Sequence, residues 1–168
     1  VIIAGGGNIG FRLARAIESS VNVKLIERDR QRAEYLAGAL TRALVLHGDS
    51  TDEDLLDSES IEETDMFLSL TNDDEDNIMS SSLAKQMGVR RTLALINRKS
   101  YVDLVQGGRI DIAISPAQTS IGQLLARVRR GDVAAVHSLR RGAAEALEVV
   151  APGDAKHCKV IGRKGEGI

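Results

Sequence analysis

Three glycines carry the strongest chemical signal in this chain. Gly5, Gly7 and Gly10 follow a short apolar opening and precede a helical pattern. Gly5 allows a sharp turn, Gly7 allows the backbone to approach a pyrophosphate, and Gly10 allows a helix to pack closely on a strand. The free N–H groups and the positive end of the helix dipole then face the phosphates. This spacing predicts a dinucleotide-binding loop, in which Gly6 is as consistent with a small loop residue as with a direct role.

Glu27 ends the next apolar run, 17 residues after Gly10 and 22 after Gly5. At this spacing a carboxylate accepts hydrogen bonds from both hydroxyls of a ribose. The same negative charge repels the 2′-phosphate of NADP. Residue types and spacing therefore favour NAD(H) or an adenine nucleotide as the ligand.

Polar residues at the ends of later apolar runs are further candidates for ligand contacts. Asp49 and Ser50 either hydrogen-bond adenine or its ribose, or belong to the cap of the acidic helix that follows. Thr71 and Asn72 precede four consecutive carboxylates that suit a helix N-terminus, so Thr71 and Asn72 are the better ligand candidates. Arg98 either clamps phosphate oxygens or lies solvated at a helix start.

No set of residues in the sequence suggests catalysis or a metal site. His47, His137 and His157 lack metal-ligand spacing, and Cys158 has no evident partner. No histidine or lysine is placed with a carboxylate as a proton relay for a nicotinamide. We therefore expect a binding module that is not an enzyme, and the alternative is a fragment of an NAD-dependent oxidoreductase.

Short apolar runs alternating with longer amphipathic stretches must position these residues. The pattern predicts strands near residues 1–4, 22–27, 43–47, 65–70, 91–97 and 110–114. It predicts helices near residues 8–20, 29–39, 52–58, 73–87, 99–106 and 117–130. This alternation is typical of an α/β fold, a Rossmann-type doubly wound parallel sheet with strand order 3-2-1-4-5-6. A ligand is expected at the carboxyl ends of its strands.

The predicted helix over residues 117–130 bears on assembly. Its apolar stripe consists of Ile121, Leu124, Leu125 and Val128. The stripe either covers the sixth strand of the same chain or packs on a second copy. Packing on a second copy is suggested because five helices already suffice to cover the sheet.

A change of pattern near residue 132 predicts a domain boundary. Two apolar runs joined by a short polar link follow it and suggest a β-hairpin. We expect a nucleotide-binding domain at 1–132 and the start of a small, truncated α+β subdomain at 133–168. Because the chain begins inside a strand without an initiator Met, we expect it to be a piece of a longer protein.

Composition limits the class of partner. The chain has 22 Lys and Arg against 24 Asp and Glu, a net charge of −2, and only 2% aromatic residues. It therefore offers no basic surface and few stacking platforms for nucleic acid. A single cysteine excludes an internal disulfide, and the sequence shows no signal peptide or membrane-crossing apolar run. We expect a cytoplasmic protein that does not insert into a membrane.

Several motifs together resemble the RCK/KTN family of nucleotide-binding domains (the TrkA N-terminal type), which gate potassium channels and transporters. The matching pieces lie at residues 5–10, 25–28, 48–51, 70–78, 96–98 with Tyr101, and 114–116. The chain is most similar to the second such domain of the bacterial Trk potassium uptake regulators. The stretch beyond residue 132 resembles the lead-in to their C-terminal subdomain.

The resemblance implies a function and a set of partners. It implies a cytoplasmic regulatory subunit, peripheral on the inner face of the cell membrane, that binds NAD(H) or ATP/ADP. The subunit would gate a membrane potassium transporter subunit of the Trk type through a ligand-dependent conformational change. The resemblance also implies a homo-oligomer in which helix 117–130 crosses to a neighbouring subunit.

The same resemblance implies a role for each residue of the cleft. Phosphates would be held by Gly5, Gly7, Asn8 and Ile9, with Gly6 and Gly10 in the same loop. Glu27 would hold the ribose with Arg28 beside it, and Asp49 and Ser50 would meet adenine. The distal half of the ligand would be lined by Thr71, Asn72, Glu75 and Arg98. An Arg at the position of Asn8, as in some members, favours a triphosphate, so Asn8 leaves NAD(H) and ATP/ADP both open.

Overall fold

A computed structural model describes residues 1–105, 110–128, 133–139 and 144–149. The first six strands are β1 Ile2–Ala4, β2 Lys24–Glu27, β3 Leu44–His47, β4 Met66–Ser69, β5 Arg91–Leu95 and β6 Ile112–Ile114. All neighbouring strands pair parallel, in the order β3-β2-β1-β4-β5-β6. The predicted doubly wound sheet and its strand order are therefore confirmed.

Helices alternate with these strands. They are α1 Asn8–Ile17, α2 Arg30–Ala39, α3 Glu53–Ser58, α4 Asp74–Gln86, α5 Lys99–Val105 and α6 Pro116–Val128, with a 3-10 turn at Ile61–Glu63. Each of the six α-helices overlaps a predicted helix, and the 3-10 turn was not predicted. None of the helices in the described residues is long and apolar enough to cross a membrane.

Two buried apolar layers cover the sheet, one on each face. Successive residues of a strand point to opposite faces, so Ile3 packs in one layer with Ala14 of α1 and Leu36 of α2. Ile2 packs in the other layer with buried residues of α3 and α4, among them Leu56. Because both faces are covered, the central strands carry apolar residues at consecutive positions, and this pattern made them recognisable in the sequence.

Aspartates begin the helices that follow β2, β3 and β4. Asp29, Asp52 and Asp73 are the N-caps of α2, α3 and α4, and each side chain accepts a hydrogen bond from a backbone N–H of the first turn. A carboxylate at this position also complements the helix dipole. At α1 the N-cap is Gly7, which contributes no capping side chain. The N-terminus of α1 thus differs from those of the three helices at the same edge of the sheet.

The chain divides into two compact units, one comprising Val1–Pro116 and the other beginning at Ala117. We expected the boundary near residue 132, whereas this division assigns nearly all of α6 to the second unit. In that unit, strands β7 Val133–Leu139 and β8 Ala144–Val149 pair antiparallel. The predicted beginning of the C-terminal subdomain after residue 149, with His157 and Cys158, lies outside the described residues.

Candidate functional site

The carboxyl ends of the parallel strands surround a cleft of about 570 Å³, at the point where the strand order reverses. Ten residues that the sequence marked for ligand contacts line it: Gly5, Gly7, Asn8, Ile9, Glu27, Arg28, Asp49, Ser50, Thr71 and Asn72. The lining also includes Ile26, Gly48, Leu70, Asp76, Leu95, Asn97 and Pro116. A crevice at the switch point of an open α/β sheet is where this architecture places its ligands.

Two of the glycines are required by close packing around the loop. Gly5 has φ +100°, and a Cβ on it would lie 2.9 Å from the backbone nitrogen of Thr71. A Cβ on Gly10 would overlap the carbonyl oxygen of Gly5, so α1 approaches the loop only because Gly10 has no side chain. Both findings agree with the roles that the spacing predicted for these positions.

Gly7 differs, because nothing lies within 4 Å of the position its Cβ would take. The glycine is therefore not required by the surrounding protein packing, and the space beside it belongs to the cleft. Gly7 is the N-cap of α1, and the N–H groups and the dipole at a helix N-terminus favour an anion. The geometry leaves room for a ligand group to approach the backbone at Gly7.

Gly6 has a structural role that the sequence left open. It is buried and does not line the cleft, and a Cβ on it would overlap the side chain of Leu36. Its N–H donates to Oε2 of Glu27 at 2.8 Å, and its carbonyl accepts a hydrogen bond of 2.9 Å from Nε of Arg32. Gly6 therefore connects the glycine loop to β2 and α2 through these two hydrogen bonds.

Glu27 lies in the cleft and is also bonded to the protein. Besides the bond from Gly6 to Oε2, Oε1 accepts a 2.9 Å hydrogen bond from the N–H of Asp29. Each carboxylate oxygen has a second lone pair that a ribose hydroxyl can use. The contact with the glycine loop was not predicted, because it depends on the approach of two loops 21 residues apart.

Arg28, next along the chain, lies between two carboxylates at the rim of the cleft. Its Nη1 is 3.8 Å from Oδ2 of Asp49 and 3.6 Å from Oδ2 of Asp76. Hydrogen bonds from the N–H and the hydroxyl of Thr51 hold the pKa of Asp49 below its ordinary value, and Arg28 adds to this effect. Asp76 is a cleft residue that sequence reasoning missed, because its position in an acidic first turn suggested only a helix-dipole role.

Thr71 is held in place by the buried side chain of Asn77. Oδ1 of Asn77 accepts from the backbone N–H of Thr71 at 2.9 Å and from its hydroxyl at 2.7 Å. The amide nitrogen of Asn77 donates to the carbonyls of Thr71 and Leu95, which joins the ends of β4 and β5. The wall of the cleft at Thr71 and the exposed Asn72 is therefore fixed by a residue one turn into α4.

Glu75 and Arg98 lie outside the cleft lining, although the resemblance placed them along the ligand. Nη1 of Arg98 donates to Glu75 Oε1 at 2.8 Å and to the hydroxyl of Tyr101 at 3.0 Å. The guanidinium carbon lies 5.2 Å from the centre of the Tyr101 ring. The arginine thus bridges α4 and α5 on the surface of the protein in this structure.

The loop before α5 is positioned by Asp74 instead. Its buried carboxylate accepts hydrogen bonds from the N–H and side-chain amide of Asn97 and from the N–H of Arg98. Burial raises the pKa of Asp74, but these hydrogen bonds outweigh burial and leave the pKa below its ordinary value. Asp74 therefore places Asn97, rather than Arg98, at the cleft.

Within the described part of the chain, no group of three or more His, Cys, Asp or Glu side chains is placed to hold a metal ion. The cleft offers hydrogen-bonding groups, backbone N–H groups and carboxylates. This chemistry is suited to holding a polar ligand.

Comparison with known proteins agrees with this geometry. Residues 1–116 match the TrkA-N domain. The chain belongs to the TrkA-N domain family. It is 59% identical over 163 residues to the Trk system potassium uptake protein TrkA of Halomonas elongata, and 55% identical over 163 residues to that of Vibrio alginolyticus. Each alignment covers 97% of this chain and 36% of the relative, so the chain spans about a third of the length of these curated relatives.

Solved structures share the fold of the family at low sequence identity. The TrkA-N domain of the inner membrane protein ybaL from Escherichia coli has a TM-score of 0.69 and 13% identity, covering 76% of this chain and 95% of that one. The GsuK channel bound to NAD has a TM-score of 0.65 and 17% identity, covering 82% of this chain and 25% of the channel chain.

Proposed function

We propose that this TrkA-N domain is the nucleotide-binding regulatory part of a potassium uptake system. Its relatives of 55–59% identity are named Trk system potassium uptake proteins, which supports a role in potassium uptake. Ligand binding in the cleft favours one conformation, and the change passes to a membrane potassium transporter subunit of the Trk type. Such coupling needs only a differential affinity for two conformations, typically about 1–3 kcal/mol.

The observation that carries the proposal is the open space at Gly7, the N-cap of a helix with no capping side chain, together with Glu27 in the same cleft. A pyrophosphate fits the first feature and a ribose the second. NAD(H) supplies both groups, and ATP or ADP is the alternative ligand. The GsuK channel, in which about a quarter of the chain shares this fold, is bound to NAD in its structure.

We propose that the ligand is held by the cleft residues named above. In this arrangement Gly5, Gly7, Asn8 and Ile9 face the phosphates, and Glu27 receives the ribose. Asp49 and Ser50 meet adenine, and Thr71 and Asn72 line the distal half of the ligand. Glu75 and Arg98 remain predictions of ligand contact that require a movement of the Arg98 side chain away from Tyr101.

In the proposed function the protein binds its nucleotide and does not catalyse a reaction with it. The alternative is that the chain is a fragment of an NAD-dependent oxidoreductase. Among the described residues, those that line the cleft include no histidine, lysine or cysteine, the side chains that most often act as a proton relay or nucleophile. Titration calorimetry of the chain against NADH, NAD, ATP, ADP and NADPH tests the proposal, and we expect NADH to bind below the millimolar range. Absence of binding by every nucleotide would contradict it. Sustained loss of NADH absorbance with 2-oxo acids, aldehydes or ketones would favour the oxidoreductase.

We further propose that the chain assembles with a second copy of itself through α6. Ile121 and Leu124 of this helix are 55% and 61% exposed, and Ile112 and Ile114 are exposed on β6. Apolar side chains exposed on a regular element are typical of an interface. The assembled protein would lie in the cytoplasm, on the inner face of the membrane, through its transporter partner.

A further inference from the structure

Arg28 occupies a position that affects the choice between NAD and NADP in dinucleotide-binding folds. An arginine close to the carboxylate at the end of the second strand accommodates the 2′-phosphate of NADP. Glu27 and Arg28 therefore have opposite effects on that phosphate, since Glu27 repels it and Arg28 attracts it. The pair alone does not decide between NAD(H) and NADP(H).

The residues around Arg28 bear on the choice between NAD(H) and NADP(H). Among the described residues that line the cleft, Arg28 is the only one with a cationic side chain, and three carboxylates, those of Glu27, Asp49 and Asp76, line the same cleft. Its Nη1 lies 3.8 Å from Asp49 and 3.6 Å from Asp76, so the guanidinium charge is directed toward acidic groups of the protein. A 2′-phosphate would have to compete with both of them.

Asp49 is held by hydrogen bonds within its own loop, and Asp76 belongs to the first turn of α4. Oδ1 of Asp49 accepts from the N–H of Thr51 at 2.9 Å and from its hydroxyl at 2.7 Å. The backbone of Asp76 donates to Asp73 and accepts from the hydroxyl of Ser80 in the first turns of α4. The carboxylate of Asp49 and the backbone of Asp76 are therefore held in place, whereas the side chain of Arg28 is 72% exposed.

We propose that Asp76, together with Asp49, determines the ligand specificity of the cleft by holding Arg28 away from a 2′-phosphate. NAD(H) is then accepted and NADP(H) is rejected more strongly than Glu27 alone would reject it. The inference rests on the proposed nucleotide-binding function and names which dinucleotide that function selects.

The test is the ratio of the dissociation constants of NADPH and NADH, measured by calorimetry at low ionic strength for the parent and for Asp76→Asn. A partly exposed ion pair contributes up to about 1 kcal/mol, so we expect the ratio to move about fivefold toward NADPH. Asp73→Asn is the matched control. It makes the same change in charge at the start of the same helix, and asparagine caps as well as aspartate does. We expect no comparable shift for it.

A second pair of variants separates Arg28 from a general change in charge. In an Arg28→Gln background, Asp76→Asn has no guanidinium to release, so its effect on the ratio is expected to fall to that of Asp73→Asn. An unchanged ratio in Asp76→Asn, an equal shift in Asp73→Asn, or a full shift without Arg28 would each overturn the inference while NADH binding by the parent upholds the proposed function. A parent that binds no NADH would overturn both.

Discussion

Glu27 joins the end of β2 to the glycine loop through Oε2, which accepts from the N–H of Gly6, and to the start of α2 through Oε1, which accepts from the N–H of Asp29. The same carboxylate faces the cleft, where the proposed ligand places its ribose. Removing the carboxylate therefore removes a charged hydrogen-bond acceptor for the ribose. It also removes a hydrogen bond that stabilises the loop proposed to hold the phosphates.

Glu27→Ala is expected to weaken NADH binding by about 1.5–3 kcal/mol, the range for a lost hydrogen bond to a charged group. Glu27→Gln keeps one acceptor oxygen and is expected to lose less. Calorimetry measures both affinities, and thermal unfolding reports how much of the effect comes from the loop. Unchanged affinity in Glu27→Ala would show that the ribose is held elsewhere.

Gly7 and Gly10 provide a contrasting pair in the same loop. Gly7→Val places its side chain in open cleft space, so we expect NADH binding to be abolished while the fold is retained. Gly10→Ala brings a methyl group onto the Gly5 carbonyl and is expected to destabilise the fold by about 1–3 kcal/mol. Circular dichroism and chemical denaturation distinguish the two effects. Global unfolding of Gly7→Val would assign that glycine a structural role.

Among the elements, the turn between α2 and β3 depends on one buried carboxylate. Oε2 of Glu18, at the end of α1, accepts hydrogen bonds from the N–H groups of Thr41, Arg42 and Ala43 at 3.0, 2.8 and 3.0 Å. The bond from Arg42, followed by that from Ala43, lowers the pKa of Glu18. The ionised form is thus stabilised by folding.

The sign of the pH dependence follows from this lowered pKa. Glu18 contributes its stability fully above the ordinary glutamate pKa of about 4.3 and loses it as the pH falls through the lower pKa of the folded state. We expect Glu18→Gln to be less stable than the parent at pH 7 and to lose less stability on acidification. Urea unfolding across the acid range checks this. Parallel curves for the two proteins would contradict it.

The strands and helices follow from patterns that act over neighbouring residues. Burial on both faces gave β1, β2 and β4 adjacent apolar residues, and the glycine loop with Glu27 located the cleft. Contacts between distant loops had no such signal. Asp74 holds the backbone of Arg98 across 24 residues, and Glu75 with Tyr101 holds its guanidinium outside the cleft. The sequence alone gave no means of choosing these partners over a phosphate.

For the whole molecule, the proposed assembly predicts that charges introduced into α6 convert a dimer into a monomer. Leu124→Asp with Leu125→Asp places two charges in the proposed contact of α6, and each is costly to desolvate without a partner. The Leu125 side chain lies outside the described residues, and Leu124 is exposed. Light scattering at tens of micromolar is expected to give a dimer for the parent and a monomer for the variant.

Gln123→Asp is the control for this experiment, because Gln123 is exposed and lies beside the predicted apolar stripe rather than in it. We expect this variant to remain dimeric. A monomeric parent would contradict the proposed assembly, and loss of the dimer in the control as well would show that added charge anywhere on the helix is sufficient.

The ends of the large sheet affect how copies of this chain meet. Its outer strands, β3 and β6, are only four and three residues long. An outer strand presents unpaired N–H and C=O groups with which a strand of another molecule can pair. A short outer strand is one way in which proteins limit such pairing. At high concentration we therefore expect this sheet to resist open-ended fibril formation by strand addition.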